Sequence, residues 1–418
     1  MNLRQTPPAA PDTTDAPASQ ASQAWPIGTD SFFQPRRAAF WLLAAWLANG
    51  LVYTVGLFAT GFRVVPIAAL LGLAVWSLYT LAFFALFRAL DLLEQHPPEA
   101  YALAFAWGGL GAVHLALPAN VAIQSLAAKL ISPEFVAVWG PALAGPVTEE
   151  FLKLVGVLLL ILVARNQFQT ELSVLVVGAM AGLGFQVVEN LSYTVRAAMN
   201  FPLESQVLPV LLNLVTRGLL SGLWTHAAYT TIAAYGVAWY LRHTERGPAA
   251  RVAIALLCFG LAWFMHFFWN SPWLEDGFSD GPLGLALLLI VKGLPVLAAA
   301  AVFWRAAVRE SGAHLHHLAS CFVPERDLLR DDEWQRLGSP LERWRVRREM
   351  GRRHGRRARR LKGRLQREQL RLVMQAGTYG RGAHTLRHEL AIRRIRARLD
   401  ALVAPAPPAG GRATAGAG

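Results

Sequence analysis

Between Ala38 and Ala307 the chain passes again and again through uncharged or nearly uncharged stretches of roughly 20 residues, the length that crosses about 30 Å of hydrocarbon at about 1.5 Å per residue. Eight such spans are expected, over 38–60, 64–87, 101–118, 143–164, 172–195, 210–240, 252–271 and 283–304. The third carries His114 and Pro118, and the sixth is long enough to contain a break near Gly218 or Gly222. A soluble fold has no surface for this pattern: 54% of the 418 residues are hydrophobic and only 16% are charged. Backbone groups in lipid must be satisfied within the segment, so the spans are helices and the fold class is an all-α polytopic membrane protein.

The formal charge of +13 would suggest nucleic acid if it were spread over the chain, but it is not. Residues 311–418 hold 24 of the 40 Lys and Arg and 10 of the 27 Asp and Glu, a net +14, so the first 310 residues sum to −1. Three segments follow: a disordered lead over 1–35, rich in Pro, Ala, Ser and Thr; a membrane domain over 36–310; and a basic tail over 311–418. The lead has no short apolar region with a cleavage site and does not read as a secretory signal. Two cysteines, Cys258 and Cys321, offer no disulfide framework. Arg36, Arg37, Arg88, Arg165, Arg242, Arg246, Arg251, Arg305 and Arg309 gather at one face of the spans, whereas the other holds few cations and the acidic Glu275, Asp276 and Asp280. Basic flanks stay inside, which puts both termini in the cytoplasm.

Ionisable residues inside spans are costly and mark functional or paired sites. Span four carries Glu149-Glu150-x-x-Lys153, span five carries Phe185-x-x-x-Glu189-Asn190, span six carries His226, and span seven carries His266-x-x-x-Asn270. Counted from the inner flanking charge of each span, Glu149 lies roughly 24 Å deep, Glu189 roughly 27 Å, His226 roughly 24 Å and His266 roughly 22 Å. Four helices therefore bring ionisable groups to one level in the outer half of the bilayer. Each has a plainer reading: Glu149 and Glu150 as first-turn acids behind Pro146, Glu149 to Lys153 as an i,i+4 pair, and each histidine as a packing residue. Independent packing residues have no reason to share a depth. Arg217 is expected to reach the outer headgroups, and Lys292 to lie near the site level.

Acids, imidazoles, a lysine and an amide in a wet intramembrane pocket suit hydrolysis. Span sequences contain no G-x-S-x-G, no H-E-x-x-H and no Asp pair. Two mechanisms are open. In one, Glu189, His226 and His266 hold zinc, and Glu149 or Glu150 deprotonates a water. In the other no metal takes part, a paired glutamate is the base, and His226, His266 and Asn270 hold the oxyanion.

These motifs, in this order and on successive spans over roughly residues 135–275, resemble those of the PrsW-type intramembrane proteases, within the wider superfamily of CAAX-processing and bacteriocin-processing membrane proteases. CAAX-processing relatives carry Arg after the Glu pair and His where this chain has Glu189, so the resemblance is to the PrsW branch. It implies an endopeptidase of the bacterial cytoplasmic membrane, with Glu149 and Glu150 as catalytic acids. It also implies first cuts in membrane-anchored anti-sigma factors near the outer leaflet. A proton- or ion-coupled transporter would use similar buried charges, but no polar counterparts occur in spans one to three to form a second half. A non-catalytic membrane scaffold is the third reading.

In the basic tail, the Arg run around Arg352–Arg360 suits anionic lipid better than nucleic acid, because the tail is tethered to a membrane. Leu386, Leu390, Ile395, Leu399 and Leu402 follow helical spacing and predict an amphipathic helix lying on the membrane or against a partner. His314, His316 and His317 read as a solvated cluster.

Overall fold

The computed structural model describes residues 31–90, 96–168, 170–200, 205–220, 225–273 and 281–403. Most of the expected N-terminal lead, the acidic residues Glu275, Asp276 and Asp280, the side chain of Lys292 and the end beyond Val403 lie outside the described residues. All elements among the described residues are helical: α1 (Ala38–Val64), α2 (Pro66–Leu90), α3 (Pro98–Leu130), α4 (Pro133–Val163), α5 (Glu171–Asn200), α6 (Val207–Asn213), α7 (Thr225–Arg242), α8 (Pro248–Trp269), α9 (Pro282–Phe322), α10 (Asp331–Leu337), α11 (Pro340–Tyr379) and α12 (Ala383–Val403). They form two compact units, divided after Ala307.

In the first unit six helices, α1, α2, α3, α5, α8 and α9, are long and apolar enough to cross a membrane. The other two expected spans correspond to α4, which has the length but carries Glu149, Glu150 and Lys153, and to α7, 18 residues long and less apolar through its Thr, Tyr and His residues. Burial sorts the helices into a centre and a rim: the apolar window of α5 is 89% buried, those of α1 and α8 only 17% and 11%. Leu51, Val52, Leu78 and Leu257 point outward, as lipid-facing side chains do. With no hydrophobic drive between helices in lipid, close approach rests on small residues. A Cβ at Gly182 of α5 would overlap the His226 carbonyl oxygen of α7, and one at Gly184 would overlap that of Phe105 in α3. Both glycines thus set how near the site-bearing helices come to α5.

Three boundaries differ from expectation. α3 continues through Pro118 to Leu130, with a π-helical turn at Trp107–Ala112. The sixth span is not one helix, since α6 runs into a π-helical turn at Leu214–Leu220 and α7 starts at Thr225, with Gly222 outside the described residues. α4 starts at Pro133, where the Ser132 hydroxyl accepts the Phe135 amide at 3.1 Å, and continues through Pro141 and Pro146. Glu149 and Glu150 are therefore mid-helix residues, which removes the first-turn reading of these acids.

The second unit folds around Leu328, Leu337, Leu365, Leu372, Val373 and Ile392. The helix expected from the apolar spacing forms as α12 and packs on α11 through Ile392, Ile395 and Leu399, leaving Leu386, Leu390 and Leu402 exposed. One carboxylate joins three helices: Glu333 of α10 accepts Lys362 Nζ of α11 and Arg396 Nη2 of α12, each at 2.6 Å, and Gln369 Nε2 at 2.8 Å. Burial would raise the Glu333 carboxyl, but the hydrogen bond from Arg396 and the Lys362 ammonium outweigh burial and hold it down to about 2. Because the folded value is depressed below the ordinary 4.5, the stabilisation is complete above that pH and is lost as pH falls toward 2, an effect of about 3 kcal/mol. Glu333→Gln should leave two buried cations under-compensated and destabilise this unit by about 3–5 kcal/mol at neutral pH. Faster amide hydrogen exchange over 308–403, with exchange over α5 unchanged, is the expected result.

Candidate active site

α4 lies against α3, α5, α7 and α8, and turns Glu149, Glu150 and Lys153 inward. Glu150 and Lys153 are 0% exposed, with Lys153 Nζ 2.6 Å from Glu150 Oε1. Lys153 Nζ also lies 3.0 Å from His226 Nδ1, on the first turn of α7. An ammonium has donors only, so His226 Nδ1 accepts and its Nε2–H donates to Glu189 Oε2 at 3.1 Å. The same reasoning fixes His266. Asn270 Nδ2, one turn further along α8, donates to His266 Nε2 at 3.2 Å, and His266 Nδ1–H donates to Glu150 Oε1 at 2.8 Å. Each ring thus has one nitrogen tied to a carboxylate and the other turned inward, where it accepts from Lys153 or Asn270.

The inward nitrogens face one oxygen. Glu149 Oε2 lies 3.8 Å from His266 Nε2 and 4.0 Å from His226 Nδ1, and it is buried with no hydrogen-bond partner. Its other oxygen accepts Asn120 Nδ2 at 3.0 Å, and the Thr148 hydroxyl donates to Asn120 Oδ1, fixing that amide. Glu149, His226 and His266 are the group among the described residues whose ligand atoms converge enough to hold a metal ion. An open carboxylate oxygen between two imidazole lone pairs suits a divalent cation, and the carboxylates behind the rings are the outer shell such a site needs. Among the described residues, the three carboxyls Glu149, Glu150 and Glu189 face two fixed cations, Lys153 and Arg217.

This ligand set differs from the expected Glu189, His226 and His266. Glu189 Oε2 is occupied by Arg217 Nη2 at 3.0 Å and by the outward nitrogen of His226, which places Glu189 behind the ring instead of beside the lone pairs. Nor does Arg217 reach for headgroups: its Nε donates to Asn190 Oδ1 at 3.0 Å, and its guanidinium lies 3.7 Å over the Tyr193 ring. With Asn190 Oδ1 taken, Asn190 Nδ2 is a buried donor without a partner. A cleft of about 100 Å³ collects Glu149, Glu189, Asn190, Arg217, His226, His266 and Asn270 on its wall. Glu150 and Lys153 are not on that wall and act from behind it. His114 stays apart, its Nδ1 held by the Gly111 carbonyl at 3.1 Å. Sequence reasoning missed Asn120 and Thr148, although an Asn two residues beyond Pro118 in an apolar span was a signal.

Polar side chains from four apolar helices, arranged to offer lone pairs to a cation and an open carboxylate beside it, define a membrane-embedded hydrolase. Residues 96–304, half of the chain, match the family model described as PrsW family intramembrane metalloprotease. The chain belongs to that family and is a multi-pass membrane peptidase, in agreement with the motif resemblance. No curated protein and no solved structure matches the chain.

The buried Glu150–Lys153 pair should respond asymmetrically to substitution. Lys153→Met strands a buried carboxylate and should cost about 3–5 kcal/mol, most of it recovered in Lys153→Met/Glu150→Gln. Thermal unfolding in detergent reads both, and equal losses in the single and double variants would contradict the buried pairing.

Proposed function

We propose that this peptidase cuts membrane-anchored proteins, anti-sigma factors being the class the family resemblance suggests, by adding water across a peptide bond in the cleft near the outer leaflet. The observation that carries the proposal is the open Glu149 Oε2 facing the lone pairs of His226 and His266. Placement in a bacterial cytoplasmic membrane with both termini inside is part of the same reading and rests on the basic flanks of the spans. Its partners are a membrane-anchored protein substrate and the bilayer, with anionic lipid at the basic C-terminal unit.

Glu149, His226 and His266 would hold the cation, zinc suiting two imidazoles and a carboxylate, and when bound it would polarise water at neutral pH. The chain's own groups do the rest. Glu150 and Glu189 keep the imidazoles in the tautomers that face inward. Asn120 holds Oε1 of Glu149 so that Oε2 faces the inward nitrogens of His226 and His266, as a ligand when the cation is bound and as the base that takes the proton of the attacking water when it is not. The water oxygen bonds the scissile carbonyl carbon, Asn190 Nδ2 donates to the carbonyl oxygen as it gains charge, and the proton passes to the leaving amine as the C–N bond breaks.

Two contacts favour a metal-free alternative, since Lys153 Nζ donates to His226 Nδ1 and Asn270 Nδ2 to His266 Nε2, the nitrogens that a cation would use. Cation binding requires both donors to release those nitrogens, Lys153 keeping Glu150 and Asn270 the Pro141 carbonyl. Metal analysis of purified active protein decides between the two. We expect bound zinc that is lost in His226→Ala and His266→Ala, and activity that chelator removes and zinc restores; full activity in metal-free protein would overturn the cation reading. On a single-span substrate, Glu149→Gln should lower kcat by about 10²–10⁴-fold. Asn190→Ala should lower it by about 10²–10³-fold, and with metal content retained.

A further inference from the structure

α11 is a helical hairpin rather than a rod. At Gly355 the backbone takes φ 81°, ψ 177°, a region that a side chain disfavours, and the chain reverses. Gln366 Nε2 donates to the Arg343 carbonyl at 3.3 Å across the two arms, and the Arg359 side chain packs beside Gly351. The reversal turns the Arg run into a tip: Arg352, Arg353, Arg356, Arg357, Arg359 and Arg360 are all exposed within nine residues. Arg353 pairs with Glu349 at 2.5 Å, whereas the other five have no carboxylate partner among the described residues. That is a dense positive charge of which, among the described residues, Glu349 alone neutralises a part.

We propose that this hairpin tip is a docking element for the phosphate headgroups of an anionic phospholipid surface. Guanidinium forks match phosphate geometry, and a rigid tip holds several in register. No large apolar side chain is exposed between Trp344 and Met374, so the tip engages headgroups electrostatically without inserting, and His354 is the one ring in the arginine run on which a base could stack. The unit continues directly from the last span through α9, which keeps the tip at a high effective concentration near a membrane. The proposal rests on membrane anchoring and on the hairpin, and is independent of how the peptide bond is cut.

The test uses the full chain in nanodiscs of neutral lipid, mixed with vesicles of phosphatidylcholine alone or with phosphatidylglycerol added. Co-flotation should require phosphatidylglycerol and should fade between about 0.1 M and 0.5 M salt. R352Q/R356Q/R357Q/R359Q/R360Q, all exposed positions, should weaken binding by about 3000-fold, at roughly 5-fold per arginine, while substrate cleavage is retained. The corresponding lysine variant should keep most of the binding. Equal binding to both vesicle types, an unaffected glutamine variant, or single-stranded RNA binding more tightly than vesicles at equal phosphate concentration would each overturn the proposal.

Discussion

Glu150 and Lys153 sit one turn apart on α4 with no exposed surface, in a part of the chain otherwise composed to exclude charge. Withdrawing two ions from water costs several kcal/mol each, and only close pairing with further hydrogen bonds offsets that. Those further bonds are what the site is made of. Glu150 also receives His266 Nδ1–H, and Lys153 also reaches His226 Nδ1, so one buried pair fixes the orientation of two rings on two other helices. The tautomers follow from it, and with them the direction in which each imidazole offers its lone pair.

A second buried carboxylate is held differently from Glu149. Glu333 in the C-terminal unit has both oxygens taken, one by Lys362 and the other by Arg396 and Gln369. It ties α10, α11 and α12 together and has nothing left to offer a substrate. Glu149 is held by one oxygen only, and the other lies buried between two imidazoles without a partner. The cost of leaving that oxygen open is borne by the bundle. In the proposed reaction that oxygen is the one that would meet a cation or the proton of a water.

The packing that permits this is a matter of missing side chains. α5 is the most buried of the spanning helices, and Gly182 and Gly184 let the backbones of α7 and α3 lie almost against it. His226 follows directly, because its own carbonyl is one of the atoms that a larger residue at Gly182 would displace. Lipid-facing helices such as α1 and α8 need no such precision on their outer faces, and those faces carry large apolar side chains.

Composition and spacing by themselves determined that this chain is an all-helical membrane protein and that its positive charge resides in a C-terminal segment, and they singled out Glu149, Glu150, Lys153, Glu189, Asn190, His226, His266 and Asn270 as polar residues inside or beside the spans. This was legible because the cost of placing charge in hydrocarbon leaves few residues there, and each stands out. Tertiary structure decided how those residues divide their work. Depth along a helix can be counted from sequence, but rotation about its axis cannot, and rotation is what set Glu149 beside the imidazole lone pairs and Glu189 behind His226. It also turned Arg217 inward and brought Asn120 from α3 to Glu149, contacts between residues 28 and 29 positions apart that no local pattern encodes. In the tail, the apolar spacing of α12 announced a helix but not the α11 surface it covers, and Gly355 alone made a hairpin of an arginine run, because only the folded backbone reveals where a positive φ is used.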